Sequence, residues 1–540
     1  MFNPFTLEII RNAFTSVAEE MSTGIWRTSR STPVREILDY STAVFDNNGN
    51  IISQSTRNPI HLNSMSGCLK IILFNYFSLS DLNEGDIILV NDPYCGGQHL
   101  PDLQVFSPVI FNKNIISFVG ALCHHTDVGG GAPGSYYANA TEIFHEGLRI
   151  PPLKIRNKGI LDQNLIDIIK FNVREPEKLY GDLISQIASL DIGKKRLINI
   201  YKKYSVKKCV AVKDEILKIS EKKVRENIKL IKNCKTEFED YLDDDGLTNK
   251  PIKIHCELII NDDYIIVDLN KSDDQATGPI NCAEVVTKSA VYYSILSVIC
   301  QDIPVNSGSF IPIIIKTRKG SIVNCSFPSP VSGRMATAHR IVNVIHGAFS
   351  NILSTLVPSA YYGVSYVYAL SANNREGNRG IYFEIEVGGA GASPNSDGVN
   401  AISCGVHNIA NTPIEMIEQE HQILFTKYQL DVNSAGSGKF RGGFGLIREW
   451  KLEAENGTFS ANLERFVFPP LGIDSGGNGK LGKLVHFRNG KEKYLPSKFS
   501  NYKLIKGDII SLHTSGGGGY GLKSERDIKS INNDQKNYKD

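Results

Sequence analysis

Two glycine-flanked blocks separated by one hairpin constrain this chain more than any other feature. They are Asn91-Asp-Pro-Tyr-Cys-Gly-Gly-Gln-His99-Leu-Pro-Asp102 and Cys123-His124-His125-Thr-Asp127-Val-Gly-Gly-Gly131. Between them, residues 103–110 and 115–122 are β-branched and aromatic runs joined by the turn-like Phe111-Asn-Lys-Asn114, the pattern of an antiparallel hairpin. With the turn on Asn112 and Lys113, facing positions have numbers that sum to about 226. Asp102 at the entry of one strand therefore meets His124 at the exit of the other, and His99 lies on the loop just before the pair. Two imidazoles and one carboxylate, with positions left open, form the donor set of a catalytic divalent metal rather than a structural one. Such an ion lowers the pKa of a bound water from about 16 towards about 7.

Alternation puts His124 and His125 on opposite faces of their strand, so only one of them faces Asp102, and His125 competes with His124 for the third ligand position. Asp92, His125, Asp127 and Glu146 are the candidate catalytic residues or outer partners of the site, with Glu142 beside them. Each of these carboxylates reads equally as a solvated loop charge. A lone histidine at a strand end is ordinarily a hydrogen-bonding residue. Here three donors converge by register alongside Gly96-Gly97 and Gly129-Gly130-Gly131.

The rest of the chain predicts an α+β, multi-domain fold. Residues 1–158 form an N-terminal α+β region that carries the metal-bearing hairpin, 159–235 a helical segment, and 236–540 a β-rich region with glycine turns and two embedded helices. Apolar residues at Ile9, Ile10, Phe14, Val17, Met21, Ile25 and Trp26 predict a helix over 7–26. A hairpin about Asn47-Asn-Gly-Asn50, a helix over 65–77 and a strand over 86–91 follow. Long lysine-bearing helices over 162–230 are expected to break near Gly193 and again at Tyr204-Ser205, and residues 242–249 read as a turn. The embedded helices fall over 283–300 and 336–356. Glycine runs at 388–391, 436–438 and 516–519 lack a Walker lysine, so they read as tight turns and close packing, with backbone nests for a phosphate as the second reading. Arg334, His339, His407 and Arg441 suit either anion contacts or structural hydrogen bonds.

At 540 residues and 59.7 kDa the chain is long enough for substantial cores, and a net charge of +2 leaves no nucleic-acid footprint. No run approaches the roughly 20 apolar residues of a membrane span, nor does the start look like a secretory signal, so a cytoplasmic location is expected. Ten cysteines without a Cys-Xaa-Xaa-Cys pair read as free thiols. Cys95 and Cys123 lie close in sequence to the proposed ligands, and packing is their simpler role.

The Asn91–Asp102 and His124–Gly130 blocks, together with Glu142-Ile-Phe-His-Glu-Gly-Leu-Arg-Ile-Pro-Pro152, resemble the B subunit of hydantoinase/oxoprolinase enzymes. That group includes the N-methylhydantoinase B component and the acetone carboxylase alpha subunit. The resemblance continues through Glu36, Asp39 and His61, residues 408–415, Gly438-Lys-Phe-Arg441-Gly-Gly-Phe-Gly445 and Ser515-Gly-Gly-Gly-Gly-Tyr-Gly521. It implies a division of labour. An A subunit on another chain binds ATP and phosphorylates a lactam, imide or ketone oxygen. The B subunit holds the metal, zinc or manganese with iron also possible, on His99, Asp102 and His124, and activated water opens the ring. It also implies a hetero-oligomer with two copies of each chain.

Within the same group, carboxylation of a ketone is the alternative chemistry. From other classes, a non-haem iron oxygenase would also use two histidines and one carboxylate, and a scaffold for the partner would need no metal. The substrate depends on a pocket that one chain does not disclose.

Overall fold

The first helix starts where proline permits. In the computed structural model, which describes residues 3–299 and 303–538, α1 spans Pro4–Thr28, capped by the Asn3 side chain on the Phe5 amide. Its buried stripe of Ile10, Phe14, Val17, Met21 and Ile25 packs on an antiparallel sheet of seven strands. These are β1 (Tyr40–Phe45), β2 (Ile51–Gln54), β3 (Ile87–Val90), β4 (Asp102–Phe111), β5 (Asn114–His124), β6 (Leu153–Asn157) and β7 (Ile160–Leu161), in the order β2-β1-β5-β4-β3-β6-β7. The second helix, α2 (Ser64–Asn75), covers the opposite face through Met65, Cys68, Leu69 and Ile72.

The lysine-bearing middle forms α3 (Gln163–Phe171), α4 (Pro176–Tyr204) and α5 (Val206–Ile228). Leu183, Ile187, Leu190, Val212 and Ile216 share the apolar core of α1 and the first sheet, and the lysines of these helices lie largely on the outside. The expected break at Gly193 does not occur, because α4 runs straight through it. A Cβ there would sit 2.4 Å from Met21 Sδ, so this glycine permits close approach of α1 and does not end the helix. The break at Ser205 is real, with φ 68° between α4 and α5.

A second sheet follows: β8 (Cys234–Leu242), β9 (Ile252–Asn261), β10 (Tyr264–Asp268) and β11 (Ile313–Lys316). It is backed by α6 (Glu284–Ile299) and α7 (Met335–Leu353). The last residue of the helix expected over 283–300 lies outside the described residues. The remaining strands are β12 (Tyr366–Asn373), β13 (Arg379–Glu386), β14 (Ile423–Asp431), β15 (Gly445–Leu452), β16 (Asn456–Asn462), β17 (Lys483–Arg488), β18 (Lys491–Leu495), β19 (Lys498–Ile505) and β20 (Ile509–His513). They form two sheets, β13-β12-β16-β19 and β14-β15-β20-β17-β18. A buried ionic knot ties these parts together: Arg340 of α7 reaches Asp240 of β8 at 3.1 Å, Arg465 reaches Asp240 at 3.2 Å, and Lys498 reaches Glu464 at 2.7 Å. Among the described residues no helix is long and apolar enough to cross a membrane.

The glycine runs pack against one another as extended backbones. The Gly436 amide donates to Gly517 O, Gly517 to Gly443 O, Gly443 to Ala390 O and Gly519 to Gly477 O, at 2.8 to 3.0 Å. These amides are satisfied within the chain, which fits close packing and leaves them unavailable as phosphate nests. A Cβ on Gly389 would lie 1.9 Å from Gly443 O. Gly389→Ala should therefore destabilise the chain by about 3 kcal/mol, whereas Gly507→Ala, at an open position with φ 91°, should cost about 1 kcal/mol. Equilibrium denaturation of the two variants tests the contrast.

Burial also shapes the response to pH. Burial pushes His346, His407 and His421 down to about 4 and His339 well below its ordinary 6.5, and lowers His61, His125 and His486 as well. Burial pushes Glu146 up to about 7 and Glu384 up to about 8, and raises Glu175 and Glu464. The raised glutamates add stability as pH falls through 8 and 7 towards their ordinary 4.5. The depressed histidines lose it once pH falls below 6.5, because only the unfolded chain then takes up their protons. The histidines outnumber the glutamates, and each unbalanced proton is worth about 1.4 kcal/mol per pH unit. Melting temperature should peak near pH 6.5 and fall steeply towards pH 4.5, and scanning calorimetry across that range checks it.

Candidate metal centre

Strand pairing sets the centre. In the β4–β5 ladder Asp102 is the partner of His124, reached through a register shift between Val109 and Ile110. Strand β1 pairs with the other side of β5, Tyr40 against Cys123, so Asp39 stands next in line beyond His124, and the His124 amide donates to Asp39 O at 3.0 Å. Alternation fixes the faces. Phe106, Phe118 and Leu122 lie on the α2 side, and Asp102 and His124 share their parity. Val105, Val119, Ala121 and Cys123 lie on the α1 and α4 side. His125 therefore points the other way, with Nε2 3.0 Å from Gln186 Oε1 of α4. Of the two histidines, His124 is the one whose ring faces Asp102. Cys123 is likewise buried away from the centre.

His99 is returned to the strand ends by a tight loop. Asp92 caps the one-turn helix over Pro93–Cys95 by accepting from the Tyr94 amide at 2.9 Å, and Gly96 follows with φ 96°. A Cβ on Gly97 would lie 2.3 Å from Asn91 O, so the crossing of the loop over its own start demands glycine. The outcome is one buried cluster in which ligand atoms of His99, Asp102 and His124 lie within 4.8 Å of one another. All three are at most 1 % exposed.

His99 Nδ1 lies 2.9 Å from Asp102 Oδ2 yet lacks the alignment of a hydrogen bond, while its Nε2 is 3.3 Å from the Tyr136 hydroxyl. His124 Nδ1 lies 3.2 Å from Asp102 Oδ1, and its Nε2 is buried without a partner. Orphaned ring nitrogens this deep are costly in a site closed on itself. A divalent cation that takes their lone pairs resolves them, and the mixed nitrogen and oxygen donor set suits zinc, manganese or iron. Burial, with the nearby Arg334 cation, pushes His99 down to about 3, so its ring is neutral at physiological pH, as a metal ligand must be. Burial works against the Asp102 charge, but His99 and the Arg334 guanidinium hold its carboxyl well below the usual range.

The other sequence candidates support the centre from a distance. Asp92 binds Arg149 Nε at 2.8 Å. Asp127 accepts from the Gly129 and Gly134 amides and pairs with Arg174, which closes the glycine loop into one shape. Glu146 Oε1 accepts from the Val331 and Ser332 amides at 2.8 and 2.7 Å. Glu142 precedes the one-turn helix Ile143–His145. His339 meets the Tyr361 hydroxyl and His407 meets Ser365, each at 2.7 Å, and Arg441 pairs with Asp534 at 3.1 Å. Sequence pattern gives no signal for Tyr136 or Phe383. Phe383 of β13 lies 5.2 Å from the His124 ring and 5.7 Å from Tyr136, which walls the centre with aromatic surface. Arg334, open in sequence to either an anion or a structural role, places Nη2 2.8 Å from Asp102 Oδ2. His61, quoted only for its resemblance, bonds Ser41 Oγ at 2.7 Å and lies 3.7 Å from Asp39.

Residues 3–523 match the model of a family described as hydantoinase B/oxoprolinase. A Pseudomonas sp. protein named as the B-type subunit of a D-/L-hydantoinase is 31% identical over 98% of this chain and 92% of its own length. A 5-oxoprolinase of Dictyostelium discoideum is 32% identical over 96% of this chain, which spans only 40% of that longer protein. Among solved structures, an ATP-dependent caprolactamase from Pseudomonas jessenii superposes with a TM-score of 0.93 at 25% identity, covering 99% of this chain and 94% of that one. An acetone carboxylase shares the fold, with a TM-score of 0.90 at 16% identity over 99% of this chain and 78% of the other. By the extent of these matches, the chain belongs to the hydantoinase B/oxoprolinase family.

Proposed function

We propose that this chain is the metal-bearing B-type subunit of an ATP-dependent cyclic-amide hydrolase. In this reading a separate A-type subunit uses ATP to phosphorylate the carbonyl oxygen of a hydantoin, 5-oxoproline or other lactam. This chain then opens the ring, in a hetero-oligomer of the two subunits. The convergence of His99, Asp102 and His124 in one buried cluster carries the proposal. The likeness to the caprolactamase favours ring opening over ketone carboxylation, for which the likeness extends to fold alone.

A divalent ion bound there supplies Lewis acidity and a water of lowered pKa. The chain's own residues prepare the rest. Tyr136 engages His99 Nε2 and so leaves Nδ1 facing Asp102. Asp102, kept ionised, orients both rings, which sit 5.0 Å apart and nearly parallel. Phe383 and Tyr136 exclude bulk water, which strengthens every charge interaction inside. An unstrained amide is a poor electrophile, and phosphorylation of its oxygen activates the carbon. Water adds there, the ring C–N bond breaks with the amine taking up a proton, and the acyl phosphate that remains is hydrolysed to carboxylate and phosphate, which suits a charged and water-poor site of this kind. Asp92, Asp127 and Glu146 act by fixing the loops that frame it, and His125 by anchoring β5 to α4.

Elemental analysis of the purified chain should find one divalent metal per centre. His99→Ala and Asp102→Asn should each remove it while the far-ultraviolet circular dichroism stays unchanged, and undiminished metal in both variants would end the ligand assignment. Asparagine is chosen because it keeps an oxygen for Arg334 Nη2, whereas alanine would leave the buried guanidinium with Gln98 Oε1 alone, at a cost of about 3 kcal/mol or more. Lactam opening should require ATP and the A-type chain together. Turnover by this chain alone, without ATP, would refute the division of labour.

A further inference from the structure

The segment leading into α7 presents a cation that the proposed chemistry has not yet used. Arg334 is 3% exposed. Its Nη2 is shared between Asp102 Oδ2 at 2.8 Å and Gln98 Oε1 at 3.2 Å, while Nε and Nη1 are buried without a hydrogen-bond partner. The backbone that carries it is pinned. Glu146 holds the Val331 and Ser332 amides, the Arg334 amide donates to Val331 O, and its carbonyl accepts the first full helical bond from Ala338. The guanidinium is therefore fixed against the metal-ligand cluster, and the amino end of the 19-residue α7, with its partial positive charge, begins at the next residue.

Charge makes this arrangement incomplete. With a divalent cation on His99, Asp102 and His124, the cluster holds that ion and the Arg334 guanidinium against two carboxylates, Asp102 and Asp39, and a third, Glu146, whose charge burial disfavours and whose Oε1 is taken by the Val331 and Ser332 amides. Both rings of the ligand histidines are neutral in that state, so a net positive charge remains where water is largely excluded, and such a charge is costly unless an anion shares the site. Two unused N–H donors on a rigid guanidinium, Nε and Nη1, suit the oxygens of a phosphoryl group as charge-assisted donors on either edge of the plane. A groove of about 500 Å³ reaches Ser41 and Asn58, whose side chains bond His61 and Asp39 at 2.7 Å each. That groove brings solvent within two side chains of the cluster.

We infer that Arg334, backed by the amino end of α7, binds the phosphoryl oxygens of the activated intermediate beside the metal, as a catalytic residue. The inference rests on the reading of the chain as the hydrolytic partner of an ATP-using subunit. Equilibrium dialysis of the full chain against labelled inorganic phosphate, with and without Mn(II), tests it, with metal content measured on the same samples. The native chain should bind phosphate, more tightly with Mn(II). Arg334→Gln should weaken that binding by about tenfold or more, the loss of charge-assisted hydrogen bonds, and Arg334→Lys, which keeps the charge but not the planar set of donors, should fall between. Native-like circular dichroism in Arg334→Lys keeps the comparison valid if the glutamine variant fails to fold. Equal phosphate binding in native and variant chains, no phosphate binding by the native chain, or preference for acetate over phosphate would each overturn the inference. Absence of bound Mn(II) in a chain that still binds phosphate through Arg334 would refute the metal-centre reading and leave the anion site standing.

Discussion

The centre depends on one register, Asp102 against His124 across β4 and β5. A strand slipped by one residue turns its whole side-chain set to the other face, and here a slip would bring Cys123 against Asp102. The structure shows how narrowly this is set. At the turn, Asn112 and Lys113 both have positive φ, 50° and 66°, and Phe111 pairs with Asn114. Continued without interruption, that ladder would deliver the wrong pairing at its far end. An irregularity between Val109 and Ile110 leaves Ile116 as an extra residue on β5, after which Val109 faces Ser117 and every later pair falls into the register that the site uses. The bulge shifts the ladder by one place, far from the ligands, and thereby aims them.

This explains how the site came to be legible in the sequence. The β-branched runs, the turn and the two glycine blocks are local signals, but a turn on Asn112 and Lys113 taken strictly sets Asp102 against Cys123, and the bulge that restores His124 has no local signal. Parity then separated His124 from His125, and the Gln186 contact on α4 bears that out. What stayed hidden came from far along the chain. Arg334 is 232 residues from Asp102 and Phe383 lies on β13, and no periodicity announces that the third sheet will close over the ends of the first. Gly193 misled for a related reason. Glycine is a poor helix former by local preference, but its lack of a side chain is what α1 requires of α4. The glycine runs were ambiguous because an extended glycine backbone looks alike whether it is to meet a phosphate or another backbone. Their amides meet carbonyls of neighbouring glycine segments.

The same burial that hides the centre also sets its protonation. Withdrawal from water keeps the His99 ring neutral, whereas the Asp102 carboxylate stays charged because Arg334 and the two imidazoles surround it. His99 and Asp102 prepared in this way would give up no proton to a metal at neutral pH. Preparation has a structural requirement, since each ligand must already be held before the ion arrives. The capping by Asp92, the amide clasp of Asp127 and the Glu146 bonds to Val331 and Ser332 meet it, each fixing a loop that carries or covers a member of the cluster. The carboxylates of Asp92, Asp127 and Glu146 are in this way engaged by backbone amides, and two of them by arginines, of the loops beside the cluster.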